Sequence, residues 1–167
     1  SVGMGDTPFK NWAGSNKDLP DINHHLDPDK IIATQKRKYH CRGCPVGCGG
    51  IVEMPDKKQE SHKIEYETAA SFSTMLLNKD LNLIYDLNEM LNRAGMDTIS
   101  VGGTVAFAME CYEKGWITKK DTGGIDLTWG NTNAIRTVVE QMIAREGFGA
   151  LLADGVKKAS EQLGAHT

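Results

Sequence analysis

The chain has 167 residues and a mass of 18.3 kDa, with 40% apolar residues, 25% charged residues and a formal net charge of −3. That length supports one domain with its own core, and the composition excludes wholesale disorder, a coiled-coil rod and a collagen-like chain. With 19 Lys and Arg against 22 Asp and Glu, it lacks the cationic excess of a strongly basic nucleic-acid binder.

Residues 1–26 read as an extended, irregular N-terminal arm: Gly3, Gly5, Pro8, Gly14 and Pro20 are spread through a polar stretch, with Phe9 and Trp12 as anchors. No basic stretch followed by an apolar run opens the chain, so the expected location is cytoplasmic. The chain begins at Ser1 rather than Met, and we read it as part of a longer protein. Residues 27–167 read as a single helical domain. Asp27 and Pro28 suit a helix start, with Asp as cap and Pro in the first turn, and the helix is predicted to run to Tyr39. Its end carries Lys36, Arg37 and Lys38, cations that suit a helix C-terminus.

A cysteine-rich loop follows, then two short strands over 50–54 and 61–66 around a charged turn at Asp56, Lys57 and Lys58. From Glu67 the pattern turns helical, with helices predicted over 67–78, 80–94, 98–114, 131–146 and 148–163, the last broken near Gly155. Gly95, Gly115, Gly147 and Gly164 stand where helix C-terminal glycines belong. Asn131 offers an N-cap before the apolar stripe of Ala134, Ile135, Val138, Val139, Met142 and Ile143. The fold class is mainly α: an irregular helical domain with a short β-hairpin after the cysteine loop. The longest uncharged stretch, Thr98 to Met109, falls short of the about 20 apolar residues that cross a bilayer.

Three of the four cysteines, Cys41, Cys44 and Cys48, have the spacing C-x2-C-x3-C. Close thiols in a chain with no export signal point to a metal or cluster site rather than a disulfide framework. An iron–sulfur cluster uses thiolates at such short spacings, with a further Cys from elsewhere. A zinc site is the rival reading, with His40 as an added ligand, although its adjacency to Cys41 makes that geometry awkward. Structural or redox thiols are a third. Cys111 lies in an apolar run and reads as a core residue, so the fourth cluster ligand is expected beyond Thr167. His24, His25, His40, His62 and His166 lie in apparent loops or at the tail. Trp129 reads as an aromatic anchor for a loop. Asp97 reads as the cap of the helix that starts at Thr98, and Glu67 as an acidic residue in a helix first turn.

Several ordered motifs together resemble the tungsten-containing aldehyde ferredoxin oxidoreductase family. They are Cys41-x2-Cys44-Pro45-Val46-x-Cys48-Gly49, then Tyr66-Glu67-Thr68, then Asn92 to Ser100, then Ala106 to Glu110, with Gly5 to Trp12 before them and Arg145 to Val156 after. The resemblance implies a fragment of a longer enzyme, covering the cluster loop and much of the first helical domain. It implies Cys41, Cys44 and Cys48 as ligands of a 4Fe–4S cluster, and Asn92, Gly95, Met96, Asp97 and Thr98 as contacts to a tungsten or molybdenum bis-pterin. Asn92 departs from the family's Asp, and Met96 from its Leu. It implies Glu67 as a catalytic carboxylate that moves protons near the metal, and a place for Trp129 in a turn near the active site.

The activity implied is oxidation of aldehydes to carboxylic acids, with electrons passed to ferredoxin. The implied partners are ferredoxin, the aldehyde and the missing domains of the same chain, with no nucleic acid and no membrane span. Asn11 and Trp12 lean toward a divergent branch acting on aromatic thioesters or hydroxy acids. The alternative function is a stand-alone iron–sulfur electron-transfer or zinc-binding module without catalysis, which would have no need of the later motifs.

Overall fold

One helix, Thr98–Glu113, is apolar on every side through its middle: Val101, Gly102, Thr104 to Met109 and Cys111 are all buried. A helix of that kind has to sit inside its neighbours. In the computed structural model, which describes residues 7–15 and 28–164, the other elements pack around it. In chain order they are α1 (Pro28–Ala33), β1 (Gln35–Tyr39), β2 (Gly49–Glu53), β3 (Glu60–His62), α2 (Tyr66–Phe72), a 3-10 turn (Thr74–Leu76), α3 (Leu81–Ala94), α4 (Thr98–Glu113), α5 (Thr132–Ala144), α6 (Gly147–Leu152) and α7 (Val156–Leu163). The fold is mainly helical with a small antiparallel sheet of order β1-β2-β3, as the pattern led us to expect. No helix of the described residues is long and apolar enough to cross a membrane.

Helices α2 and α4 approach closely. A Cβ added at Gly102 would lie 2.6 Å from Ser71 Cβ and 3.2 Å from the Ser71 carbonyl group. The same crossing is bridged one turn earlier, where the Thr68 and Thr98 hydroxyls meet at 2.7 Å. Helix α3 joins this layer to the sheet. Its Asn88 amide donates to the His62 carbonyl at 3.1 Å, its Tyr85 hydroxyl meets Thr34 at 3.1 Å, and Asp86 takes Lys57 at 2.6 Å and Arg136 at 2.5 Å. Caps fall where the sequence placed them: Asp97 accepts from the Ser100 N–H, Asn131 from the Ala134 N–H, and Gly95 closes α3 at φ 68°. Asp80 caps α3 by accepting from the Asn82 and Leu83 N–H groups.

Several boundaries differ from expectation. The helix predicted to reach Tyr39 stops at Ala33, and Lys36, Arg37 and Lys38 lie in strand β1. Thr34 ends the helix by donating to the Ile31 carbonyl at 2.9 Å, and pairing with β2 then holds the next residues extended. Intrinsic preference in this Lys-rich stretch is weak, so the non-local strand pairing decides. The cysteine loop is therefore the connection between β1 and β2, and the expected hairpin is β2–β3 with its turn at 54–59. The predicted helix over 67–78 breaks at Ser73, where buried Asn78 donates to the Phe72 carbonyl at 2.9 Å and satisfies the broken end. Gly147 opens α6 rather than closing α5, because Arg145 takes the left-handed position at φ 54°. The interruption at Gly155 is present.

The Asp27 cap lies outside the described residues. Trp12 is 65% exposed and does not anchor the arm within them. Residues 7–15 are held instead by backbone bonds from Lys10 and Asn11 to the Thr74 and Met75 carbonyls, and by Lys10–Glu113 and Asn11–Glu110 contacts.

Two consequences for stability follow. Gly102→Ala should lower the unfolding free energy by about 1–3 kcal/mol, because the new methyl meets Ser71 with backbone behind it. Gly103→Ala, where an added Cβ meets nothing within 4 Å, should raise it by up to about 1 kcal/mol; denaturant unfolding of the pair reads the contrast. Burial pushes the Asp86 carboxyl up, but hydrogen bonds from Lys57 and Arg136 outweigh it and hold it below the usual carboxylate range. A lowered folded pKa gives stability that is present above the unfolded value and lost as pH falls through the folded one. Asp86→Asn should therefore cost about 1–2 kcal/mol at neutral pH, and the gap to the unsubstituted chain should shrink below about pH 4.

Candidate functional site

The site residues fall on two parts of the fold: the loop between β1 and β2, and the crossing of α2 with the start of α4. In the loop, Cys41 and Cys48 are exposed and Cys44 is half-buried. The Cys44 N–H donates to the Cys41 carbonyl at 3.0 Å, closing a tight turn that contains Gly43 at φ 74°. Gly47 at φ 60° turns the chain back toward β2. Both are conformations that residues with a Cβ rarely adopt. Gly49 lies under the Tyr39 ring, where a Cβ would stand 2.4 Å from the ring edge. The Tyr39 hydroxyl meets His62 Nδ1 at 2.9 Å, and the rings pack edge-on. Burial, then Glu65, Cys41 and Cys48, push the Tyr39 hydroxyl pKa up. Lys63 donates its ammonium to the Cys48 carbonyl.

The loop thus carries three soft sulfur donors on a small-residue turn, a donor set that fits an iron–sulfur cluster better than a hard cation. The thiols do not converge, however: among the described residues no group of three or more His, Cys, Asp or Glu side chains is disposed to hold a metal. The fit is one of donor chemistry on tight turns set by Gly43 and Gly47. His40 spends its Nδ1–H on the Cys41 carbonyl at 3.0 Å. His62 lies in β3 rather than in a loop; His24, His25 and His166 lie outside the described residues. Cys111 is 1% exposed on α4, where burial and then Glu110 push its thiol pKa up, so it is a protonated core residue as the sequence suggested.

At the second part, Glu67 stands in the first turn of α2 with its side chain exposed, and its neighbour Thr68 bonds Thr98. Asp97 is exposed at the N-cap of α4, held below the usual carboxylate range by Ser100. Asn92 is exposed in the last turn of α3, and Met96 is half-buried. Met96 and Asp97 open onto a cavity of about 400 Å³, walled by Ser100, Val101 and Thr104 of α4 and, opposite, by Met142 and the turn Leu152–Gly155. The structure thus brings Glu67, Asp97 and Thr98 to one crossing, while Asn92 stands on the helix before it. The exposed Asp97 carboxylate at the edge of this cavity suits the polar edge of a pterin, so Met96 and Asp97 fit that group, while Asn92 is not among the lining residues.

Sequence reasoning missed the Thr68–Thr98 bridge and the opposite wall at Asp154 and Gly155. The two threonines lie 30 positions apart, and no local pattern pairs them. Trp129 packs on the core with its indole N–H buried beside Glu113, short of an ordinary hydrogen bond, and Lys10 lies 5.7 Å from its ring centre.

The whole chain, residues 1–167, matches the family model for aldehyde ferredoxin oxidoreductase, domains 2 and 3. A tungsten-containing aldehyde ferredoxin oxidoreductase of Pyrococcus furiosus is 40% identical over 129 residues, which are 77% of this chain and 21% of that protein. An aliphatic sulfonate oxidoreductase, WOR-like subunit, of the same organism is 31% identical over 157 residues, 92% of this chain and 24% of that protein. The active site complex BamBC of benzoyl coenzyme A reductase, solved with 1,5-dienoyl-CoA, shares the fold at a TM-score of 0.78 and 21% identity, over 97% of this chain and 24% of that one. The chain spans about a fifth of the length of the curated relatives it matches. With every residue inside the family match, the chain belongs to the aldehyde ferredoxin oxidoreductase family, as part of its domain 2 and 3 region.

Proposed function

We propose that this chain is part of a tungsten-pterin, iron–sulfur oxidoreductase that converts aldehydes to carboxylic acids and passes the electrons to ferredoxin. The observation that supports it most is the Thr68–Thr98 hydroxyl contact, which ties the helix turn bearing Glu67 to the Asp97 cap, with Asp97 lining a polar-edged cavity. A stand-alone electron-transfer or zinc module would leave that crossing without a task.

Aldehyde plus water gives carboxylic acid, two protons and two electrons. When bound, the tungsten–pterin would supply the two-electron oxidation and the cluster the one-electron steps outward. The protein's part is binding and proton movement. Cys41, Cys44 and Cys48 would give three thiolates to a 4Fe–4S cluster, whose fourth thiolate comes from another segment. Asp97, with Asn92, Gly95, Met96 and Thr98, would hold the polar edge of the pterin. The Asn92 amide brings no charge to that contact. Glu67 would accept a proton from the attacking water and release it to solvent, which its exposed position allows.

Anaerobic reconstitution tests the cluster. In the complete enzyme this centre should hold about four iron and four sulfide, lost in Cys44→Ser and kept in Cys111→Ser. Stoichiometric zinc without sulfide would favour the zinc module. In the complete enzyme, Glu67→Gln should lower aldehyde oxidation by about 10²–10⁴-fold with pterin content unchanged. An unaltered rate removes Glu67 from the proton path.

A further inference from the structure

From Lys30 to Val52 the chain carries five cations, Lys30, Lys36, Arg37, Lys38 and Arg42, and no carboxylate, although the whole chain is net −3. The fold puts four of them on or beside β1, an edge strand of the sheet, and leaves Lys36 to Arg42 exposed. Lys36 pairs with Glu53 across the sheet at 2.9 Å, while Arg37, Lys38 and Arg42 have no carboxylate partner among the described residues. The same cationic stretch carries two exposed apolar side chains, Val46 between the second and third cysteines at 76% exposure and Tyr39 at 40%. A small apolar centre inside a charged rim is the anatomy of a protein-binding patch. Lysines on a sheet edge also keep strands of other molecules from pairing there, but that purpose does not account for Arg42 and Val46 in the loop beyond the strand.

We propose that β1 and the tip of the cysteine loop form the docking surface for an acidic one-electron carrier of the ferredoxin class. The proposal rests on the reading of the loop as a cluster site, since the three cysteines lie within this stretch. Charge complementarity selects an acidic partner, and like charge turns cationic ones away. Each docking removes one electron, so one aldehyde oxidised to acid reduces two carriers and releases two protons. A transient electron-transfer contact needs little buried area, and steering by unpaired cations raises its on-rate at low salt.

The test uses the complete enzyme with two acceptors, an acidic 4Fe–4S ferredoxin and benzyl viologen, a small cation that needs no docking surface. The double variant Arg37→Glu/Lys38→Glu should raise the KM for ferredoxin about tenfold or more at low ionic strength, and the gap should close with added salt. Benzyl viologen turnover and iron content should stay unchanged. Lys120→Glu/Lys157→Glu, which alters net charge equally on the turn after α4 and on α7, should leave the ferredoxin KM as it was. An unchanged ferredoxin KM in the first variant overturns the proposal, as does an equal rise in the control pair. Loss of benzyl viologen turnover or iron in the first variant also overturns it, because the strand would then pack against another part of the enzyme. An unsubstituted enzyme without iron or aldehyde oxidation would instead defeat the functional reading beneath it.

Discussion

The near-contact of α2 and α4 is the constraint on which the remaining architecture depends. Gly102 leaves out the one side chain that would keep the two backbones apart at Ser71. Because the helices are that close, two short hydroxyl side chains suffice to bridge them at Thr68 and Thr98. Glu67 and Asp97 are each adjacent in sequence to one of those threonines, so the relative position of the two carboxylates is inherited from helix packing. Neither carboxylate is on a free loop. Side chains set at a helix start and a helix cap, tied by an interior contact, are held to small tolerances.

The cysteine loop has a different mechanical footing. It hangs from a three-stranded sheet, one edge of which is β1, and the sheet is tied to the helices mainly through α3. Its turns are set by Gly43 and Gly47, and its base by the Tyr39 ring lying across Gly49. The thiols themselves are not held by any partner that would converge them. Under the cluster reading proposed above, the bound group would complete the arrangement of the three sulfurs.

What could be read from the sequence follows the range of the interactions. Caps are local, and Asp97, Asn131 and Gly95 were all legible from the residues on either side. The apolar stripe of α5 and the buried place of Cys111 were legible for the same reason. Strand β1 was not, because its residues gain their conformation from β2, ten or more positions away across the loop. The stop of α2 at Ser73 depends on the side chain of Asn78, and the Thr68–Thr98 bridge on a crossing of helices. The spacing of the three cysteines left cluster, zinc and redox-thiol readings open, and their place beside a basic edge strand needed the sheet. Family membership was legible because it rests on several motifs in order, a property that no single boundary error disturbs.

The burial of Cys111 gives the molecule an internal clock for its own opening. Cys41 and Cys48 are open to a thiol reagent in the folded chain, while Cys111 is sealed inside α4 and kept in its unreactive protonated form. An alkylating agent therefore modifies the loop at once and reaches the fourth sulfur only when the helix that fills the core comes loose. The rate of that last modification measures how often the centre of the domain breathes, without any added probe.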